Sequence, residues 1–161
     1  MVKKNIAFEL LVYTSREELE RKDAELMEVA IEARKKAYSP YSNFEVGAAI
    51  LLGNGEVVQG NNQENACYPA GLCAERVAIY YAAAKYPDVS IISIAISATS
   101  RNYVMDRPAA PCGNCRQSIS EYEIKQQSPI SIIMTGETGE VLKCHSVSDI
   151  LPLAFNSTFL G

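Results

Sequence analysis

The chain contains one histidine, His145, no run of eighteen apolar residues, and no stretch rich in lysine or arginine. Its longest alanine-rich segment is broken by Lys85 and Pro87, so a membrane-spanning helix is excluded. Fifteen basic against nineteen acidic residues leave a net charge of −4. With no basic run, a surface that neutralises many phosphates is not expected, and nucleic acid is not an expected partner. The opening residues carry Lys3 and Lys4 but no extended apolar segment ahead of a small-residue cleavage site. A secretory signal is therefore not expected, and the chain is placed in the cytoplasm. Repeats and low-complexity tracts are also absent. At 161 residues, 48% hydrophobic and 21% charged, the chain reads as one folded domain over residues 1–161.

Five cysteines are present: Cys67, Cys73, Cys112, Cys115 and Cys144. An odd number cannot all pair within one chain. In a reducing compartment, thiols at short spacing point to metal binding or catalysis rather than disulfides.

Phe8–Tyr13 has the composition of a short strand. Ser15 with Glu18 has the form of a capping box, opening an amphipathic helix with Leu19, Leu26, Val29, Ala30, Ala33 and Ala37 on one face. Pro40 is expected to stop it. Val46–Leu52 and Glu56–Gln59 flank Gly53-Asn54-Gly55, a hairpin signature. Residues 60–72 read as loop, Cys73–Tyr86 as a helix closed by Pro87, and Val89–Ile96 as a buried central strand. A long loop, Thr99–Pro111, leads to a helix beginning at Cys112. Pro129–Met134 and Val141–Cys144 are further strands, and Ser148 is placed as the cap of a short last helix. A hairpin followed by alternating helices and strands predicts an α/β fold: a mixed central sheet with helices on both faces.

Chemistry concentrates in Cys73-Ala74-Glu75 and Pro111-Cys112-Gly-Asn-Cys115. In a C-x-x-C at a helix start, positions i and i+3 face one side, and Cys73 can add a third thiolate. Three protein ligands leave a fourth position open, the catalytic rather than structural zinc pattern. Helix N-termini favour thiolate, and Arg76 is placed to donate to a ligand sulfur. Glu75, beside a ligand and not needed as one, is placed to move protons to and from a water activated by the metal. A lone C-x-x-C also serves redox centres and structural zinc sites. Cys67 and Cys144 read as small core residues, and His145 has no assigned role.

From Ala37 to Phe155 the chain resembles the cytidine deaminase family. The resemblance lies in Tyr38-Ser-Pro-Tyr-Ser-Asn-Phe44-Glu-Val-Gly-Ala-Ala49, Asn62-Gln-Glu64-Asn65, Tyr68, Leu72-Cys-Ala-Glu-Arg76, Pro111-Cys-Gly-Asn-Cys-Arg-Gln117 and Leu151-Pro-Leu-Ala-Phe155. It implies a three-layer α-β-α fold and zinc-dependent hydrolysis of cytidine and 2′-deoxycytidine to uridine and 2′-deoxyuridine plus ammonia. One zinc ion per chain would sit on Cys73, Cys112 and Cys115, with Glu75 as the proton shuttle. Asn62 and Glu64 would bind the ribose 3′-hydroxyl, Phe44 would line the base pocket, and the backbone around Ala74 would meet the pyrimidine edge. Phe155 would enter a neighbouring subunit's site, since the family is typically homotetrameric. Tyr68 and Arg76 match positions at the site and the subunit interface. Plain core packing is the alternative for Phe44 and Phe155, a turn for Asn62, and a solvated helix charge for Arg76.

Two departures stand out. Leu153 stands where the family often has glycine, and residues 100–110 are longer than the usual connection, by default a tolerated surface insertion. Residues 1–13 lie outside the resemblance. Rival readings are a blasticidin-S-type or polynucleotide deaminase, a non-catalytic zinc scaffold, and a thiol redox centre at Cys112 and Cys115. The Asn62/Glu64 pair favours a free nucleoside, and the acidic net charge disfavours a polynucleotide.

Overall fold

A computed structural model describes residues 1–161. The elements are β1 Leu11–Tyr13, α1 Arg21–Arg34, β2 Phe44–Leu52, β3 Val57–Asn61, α2 Ala74–Lys85, β4 Ile91–Ser100, α3 Gly113–Gln126, β5 Ser131–Thr135, β6 Val141–Cys144 and α4 Val147–Ile150. The strands form one mixed sheet in the order β1-β6-β5-β4-β2-β3. Only β4 and β5 pair in parallel, and α3 is the crossover that such a pair requires.

The pleat sorts the core. Ile94 and Ile96 of β4 and Ile132 and Met134 of β5 pack with Ala78 of α2, Ile119 of α3 and Val147 of α4. The alternate residues Ala49, Ala95 and Ile133 pack with Leu26, Met27 and Ala30 of α1 on the opposite face. The three-layer α-β-α arrangement expected from the sequence is therefore present. No helix is long and apolar enough to cross a membrane.

Two glycines set how closely helices approach. A Cβ on Gly47 of β2 would lie 2.0 Å from the Ala30 carbonyl oxygen of α1. One on Gly60 of β3 would lie 2.6 Å from the Ala78 nitrogen and 2.7 Å from the Ala74 oxygen of α2. Only hydrogen fits at either point, so α1 and α2 rest directly on backbone.

Several local expectations are corrected. Ser15 caps only a 3-10 turn, Arg16–Glu18, without a side-chain hydrogen bond. Glu18 instead accepts from the Thr14 N–H and hydroxyl, and Leu19 turns extended to bury its side chain. Helix α1 thus starts at Arg21. It ends at Arg34, before Pro40, because the Tyr38 N–H donates to the Asn62 carbonyl across a short bridge to residue 63. Strand β4 runs on to Ser100, since β2 pairs with it down to Phe44. The last helix is capped by Ser146, not Ser148, in a reciprocal box with Asp149. Residues 1–10 have no regular structure and are exposed, while Leu11–Tyr13 form the edge strand against β6.

Candidate active site

Strands β3, β4 and β5 point the same way, and α2 and α3 begin at their carboxyl ends, where open α/β sheets gather their sites. Cys73 is the residue preceding α2, Cys112 precedes α3, and Cys115 lies in its first turn. Neither Cys73 nor Cys112 makes a side-chain capping bond, which leaves their sulfurs facing one another. Cys73 Sγ is 3.9 Å from Cys112 Sγ, and Cys112 Sγ is 3.5 Å from Cys115 Sγ. All three sulfurs lie within 4.8 Å of one another, and no other group of three candidate ligands converges. Tetrahedral zinc–thiolate bonds of about 2.3 Å require sulfurs about 3.8 Å apart. The donor set fits a zinc ion. Cys67 does not take part; it is exposed rather than core, whereas Cys144 is buried and His145 is exposed.

Electrostatics at the cluster favour a divalent cation. Hydrogen bonding from Cys115, with Cys112 and the neighbouring Arg76 charge, draws the Cys73 thiol down to about 5. Cys115 is driven far up by donating that bond to Cys73, then by burial and the neighbouring Glu75 charge. Cys73 and Cys115 therefore do not ionise together unless a cation compensates, which is the linkage that couples metal binding to proton release. The Arg76 Nε is buried without a protein acceptor, while Nη2 donates to the Gly71 carbonyl at 3.3 Å. Glu75 is 5% exposed, and burial raises its carboxyl above the ordinary range. A carboxyl with raised pKa next to a metal cluster is suited to carrying protons.

A cavity of about 450 Å³ adjoins the cluster, lined in part by Cys73, Arg76, Asn62, Glu64, Ser42 and Tyr68. Glu64 Oε2 accepts from the Tyr41 N–H at 2.9 Å and the Ser42 N–H at 3.3 Å, and Oε1 accepts from the Ser42 hydroxyl. Against slight burial, these bonds hold its carboxyl below the usual range. Asn62 uses its amide on the backbone: Oδ1 accepts from the Val46 N–H and Nδ2 donates to the Phe44 carbonyl, both at 2.8 Å. Phe44 is half-buried at the start of β2, and its ring is not among the cavity's lining side chains. Ala74 is fully buried and opens α2, so its N–H belongs to the unpaired first-turn donors. Tyr68, 76% exposed, leans on Tyr41 at the rim with ring centroids 6.2 Å apart.

Phe155 lies outside this cavity. Its ring is 58% exposed and stacks on Phe159 at 5.6 Å. Its carbonyl accepts from Gln117 Nε2 at 2.8 Å. Arg116 Nε donates to the Pro111 carbonyl at 2.8 Å and Nη1 to the Ile150 carbonyl at 2.7 Å. Sequence reasoning gave no role to Ser42, Arg116 or Gln117. Their signal was position alone: Ser42 two residues before Phe44, the others directly after the second thiol of C-x-x-C.

Residues 20–128 match the family described as the cytidine and deoxycytidylate deaminase zinc-binding region. The chain belongs to this family. The matched stretch contains Cys73, Glu75, Cys112 and Cys115, so the thiol cluster is a zinc site, one per chain, in an enzyme of the deaminase family. Cytidine deaminase from Halalkalibacterium halodurans is 38% identical over 132 residues, 82% of this chain and 92% of that protein. A crystal structure of cytidine deaminase from Burkholderia pseudomallei superposes with a TM-score of 0.70 at 39% identity, covering 81% of this chain and 97% of the other. That of the Mycobacterium tuberculosis cytidine deaminase gives 0.63 at 30% identity, covering 81% and 94%.

Proposed function

We propose that this chain hydrolyses cytidine and 2′-deoxycytidine to uridine and 2′-deoxyuridine, releasing ammonia. The observation that carries the reading is the convergence of three thiols from two helix starts beside a buried, non-ligating Glu75, at the edge of a cavity that Asn62 and Glu64 help line.

A zinc ion held by Cys73, Cys112 and Cys115 supplies Lewis-acid activation of water at neutral pH. Glu75 takes one proton from the attacking water and delivers it to pyrimidine N3 as the oxygen bonds to C4. It then takes the second water proton and hands it to the departing amine, leaving C4 as a carbonyl and releasing ammonia. Because the same carboxyl accepts and returns each proton, its raised pKa serves both directions. Arg76 compensates charge on the Cys73 sulfur.

Glu64 reads the ribose 3′-hydroxyl. Its Oε1 is held by a side-chain hydroxyl rather than a backbone amide, so this oxygen is the one free to exchange its partner for the sugar. Asn62 has one amide proton left beyond its bond to Phe44 and fixes the strand start that carries Phe44, the residue we assign to the base pocket. The backbone at Ala74 meets the pyrimidine edge. The exposed Phe155–Phe159 stack supports insertion of Phe155 into a neighbouring copy's site in a homotetramer, with Tyr68 near that boundary. Five unpaired thiols fit a reducing compartment, and we place the enzyme in the cytoplasm.

The test is the loss of cytidine absorbance on the purified zinc-loaded chain, with deoxycytidine, blasticidin S and a single-stranded oligonucleotide as competing substrates. Turnover of both nucleosides, abolished by a chelator, is the expected result. Preference for blasticidin S or the oligonucleotide overturns the substrate assignment, and bound zinc without any turnover overturns the enzymatic one.

A further inference from the structure

The long connection into C-x-x-C is not a loose surface insertion. Met105 is buried, and its carbonyl accepts from the Glu137 N–H at 2.7 Å and the Thr138 N–H at 3.2 Å. The turn between β5 and β6 admits it through two glycines. A Cβ on Gly136 would lie 2.6 Å from the carbonyl oxygens of Met105 and Arg107, and one on Gly139 would lie 2.3 Å from that of Asp106. The turn is itself fastened to the sheet. Thr99 Oγ1 donates to Glu137 at 2.9 Å, and Arg34 Nη1 reaches the Ala98 and Gly136 carbonyls at 3.3 and 3.5 Å.

Only four residues separate Arg107 from Cys112, and two of them are Pro108 and Pro111, so a shift at Arg107 is carried along a stiff tether. At the far end Arg116 Nε fixes the Pro111 carbonyl. Cys112 needs such support more than Cys115 does. Cys115 is fully buried within a helix, whereas Cys112 is exposed and stands outside α3 with no capping bond.

We propose that the clasp of Met105–Arg107 against Gly136–Gly139 is the positioning device for Cys112, so that the β5–β6 turn sets how firmly zinc is retained. This rests on the zinc assignment and extends it to residues remote from the sulfurs.

The test compares chelator-driven zinc release from the zinc-loaded full chain in Gly139→Ala, Met105→Ala and Gly55→Ala. Gly55 and Gly139 share a φ of +85°, so alanine meets the same left-handed strain at both, but a Cβ on Gly55 touches nothing within 4 Å. Release should be about tenfold faster or more in Gly139→Ala. Cys112, mapped by mass spectrometry, should become alkylated ahead of Cys73. Met105→Ala, which leaves the turn untouched and serves if Gly139→Ala does not fold, should behave likewise, and Met105→Leu should restore retention. Gly55→Ala should lose thermal stability while keeping the wild-type release rate. Wild-type release from the clasp variants, or equal acceleration in Gly55→Ala, overturns the proposal while leaving the zinc site standing. A wild-type chain that retains no zinc overturns both.

Discussion

Replacing Gly60 by alanine isolates what close helix approach contributes to the site. The new Cβ would meet the Ala78 nitrogen at 2.6 Å and the Ala74 oxygen at 2.7 Å, both backbone atoms that cannot rotate away. Restoring an ordinary contact requires the start of α2 to retreat by about 0.8 Å, because the packed interior offers no slack. Ala74 stands between Cys73 and Glu75, so that retreat displaces a ligand and the proton carrier together. Overpacking of this kind costs about 1–3 kcal/mol, or roughly 2–10 °C in melting temperature for a chain of this size. A displacement approaching 1 Å at reacting groups costs up to about 10²-fold in turnover. Thermal unfolding and steady-state cytidine turnover, both on zinc-loaded protein, measure the two effects. Gly47→Ala is the comparison: its Cβ strikes α1 on the opposite face, so it should destabilise while turnover of the folded fraction is spared. Wild-type turnover in Gly60→Ala, or equal turnover losses in both variants, would refute the reasoning.

Glu75→Gln should keep zinc content and fold, by metal analysis and circular dichroism, while turnover drops by about 10²–10⁴-fold. Ser42→Ala should let the Glu64 carboxyl titrate closer to its ordinary range, since the hydroxyl that holds it down is gone. Because a depressed carboxyl contributes while ionised and loses that contribution as pH falls through its folded pKa, KM for cytidine should begin to climb at a higher pH in Ser42→Ala than in wild type. A carboxyl-resolved NMR titration checks the shift, and an unchanged titration would sink the assignment. With zinc bound, one thiol, the exposed Cys67, should react quickly with a thiol reagent; chelation should add Cys73 and Cys112, while buried Cys115 and Cys144 lag.

The metal site was legible because it depends on local geometry: C-x-x-C at a helix start places two sulfurs on one side, and Cys73 opens the preceding helix. The hairpin at Gly53–Gly55 was equally local, and Gly55 does take a positive φ. Asn62 was harder, because its amide binds Phe44 and Val46 only once β2 and β3 pair in one register, with Gly47 opposite Asn61. Ser15 misled because capping-box spacing was present, yet burial of Leu19 favoured an extended backbone over a continuous helix. The same spacing at Ser146 and Asp149 does form the box, and it caps the last helix in place of the expected Ser148. The seat of Met105 was invisible, since nothing in residues 100–110 reveals two glycines more than thirty positions away.

The unequal ends of the chain bear on how the enzyme is handled in the laboratory. A label fused ahead of Leu11 hangs from an exposed arm at the outer rim of the sheet, with β6 and β5 between β1 and β4, the nearer of the two strands that lead to the thiols. One fused after Gly161 pulls on a tail that Gln117 and Arg116 pin to the first turns of α3. Immobilisation or fluorescent tagging therefore belongs at the amino end, and a bulky carboxyl-terminal fusion would act as an unintended lever on catalysis.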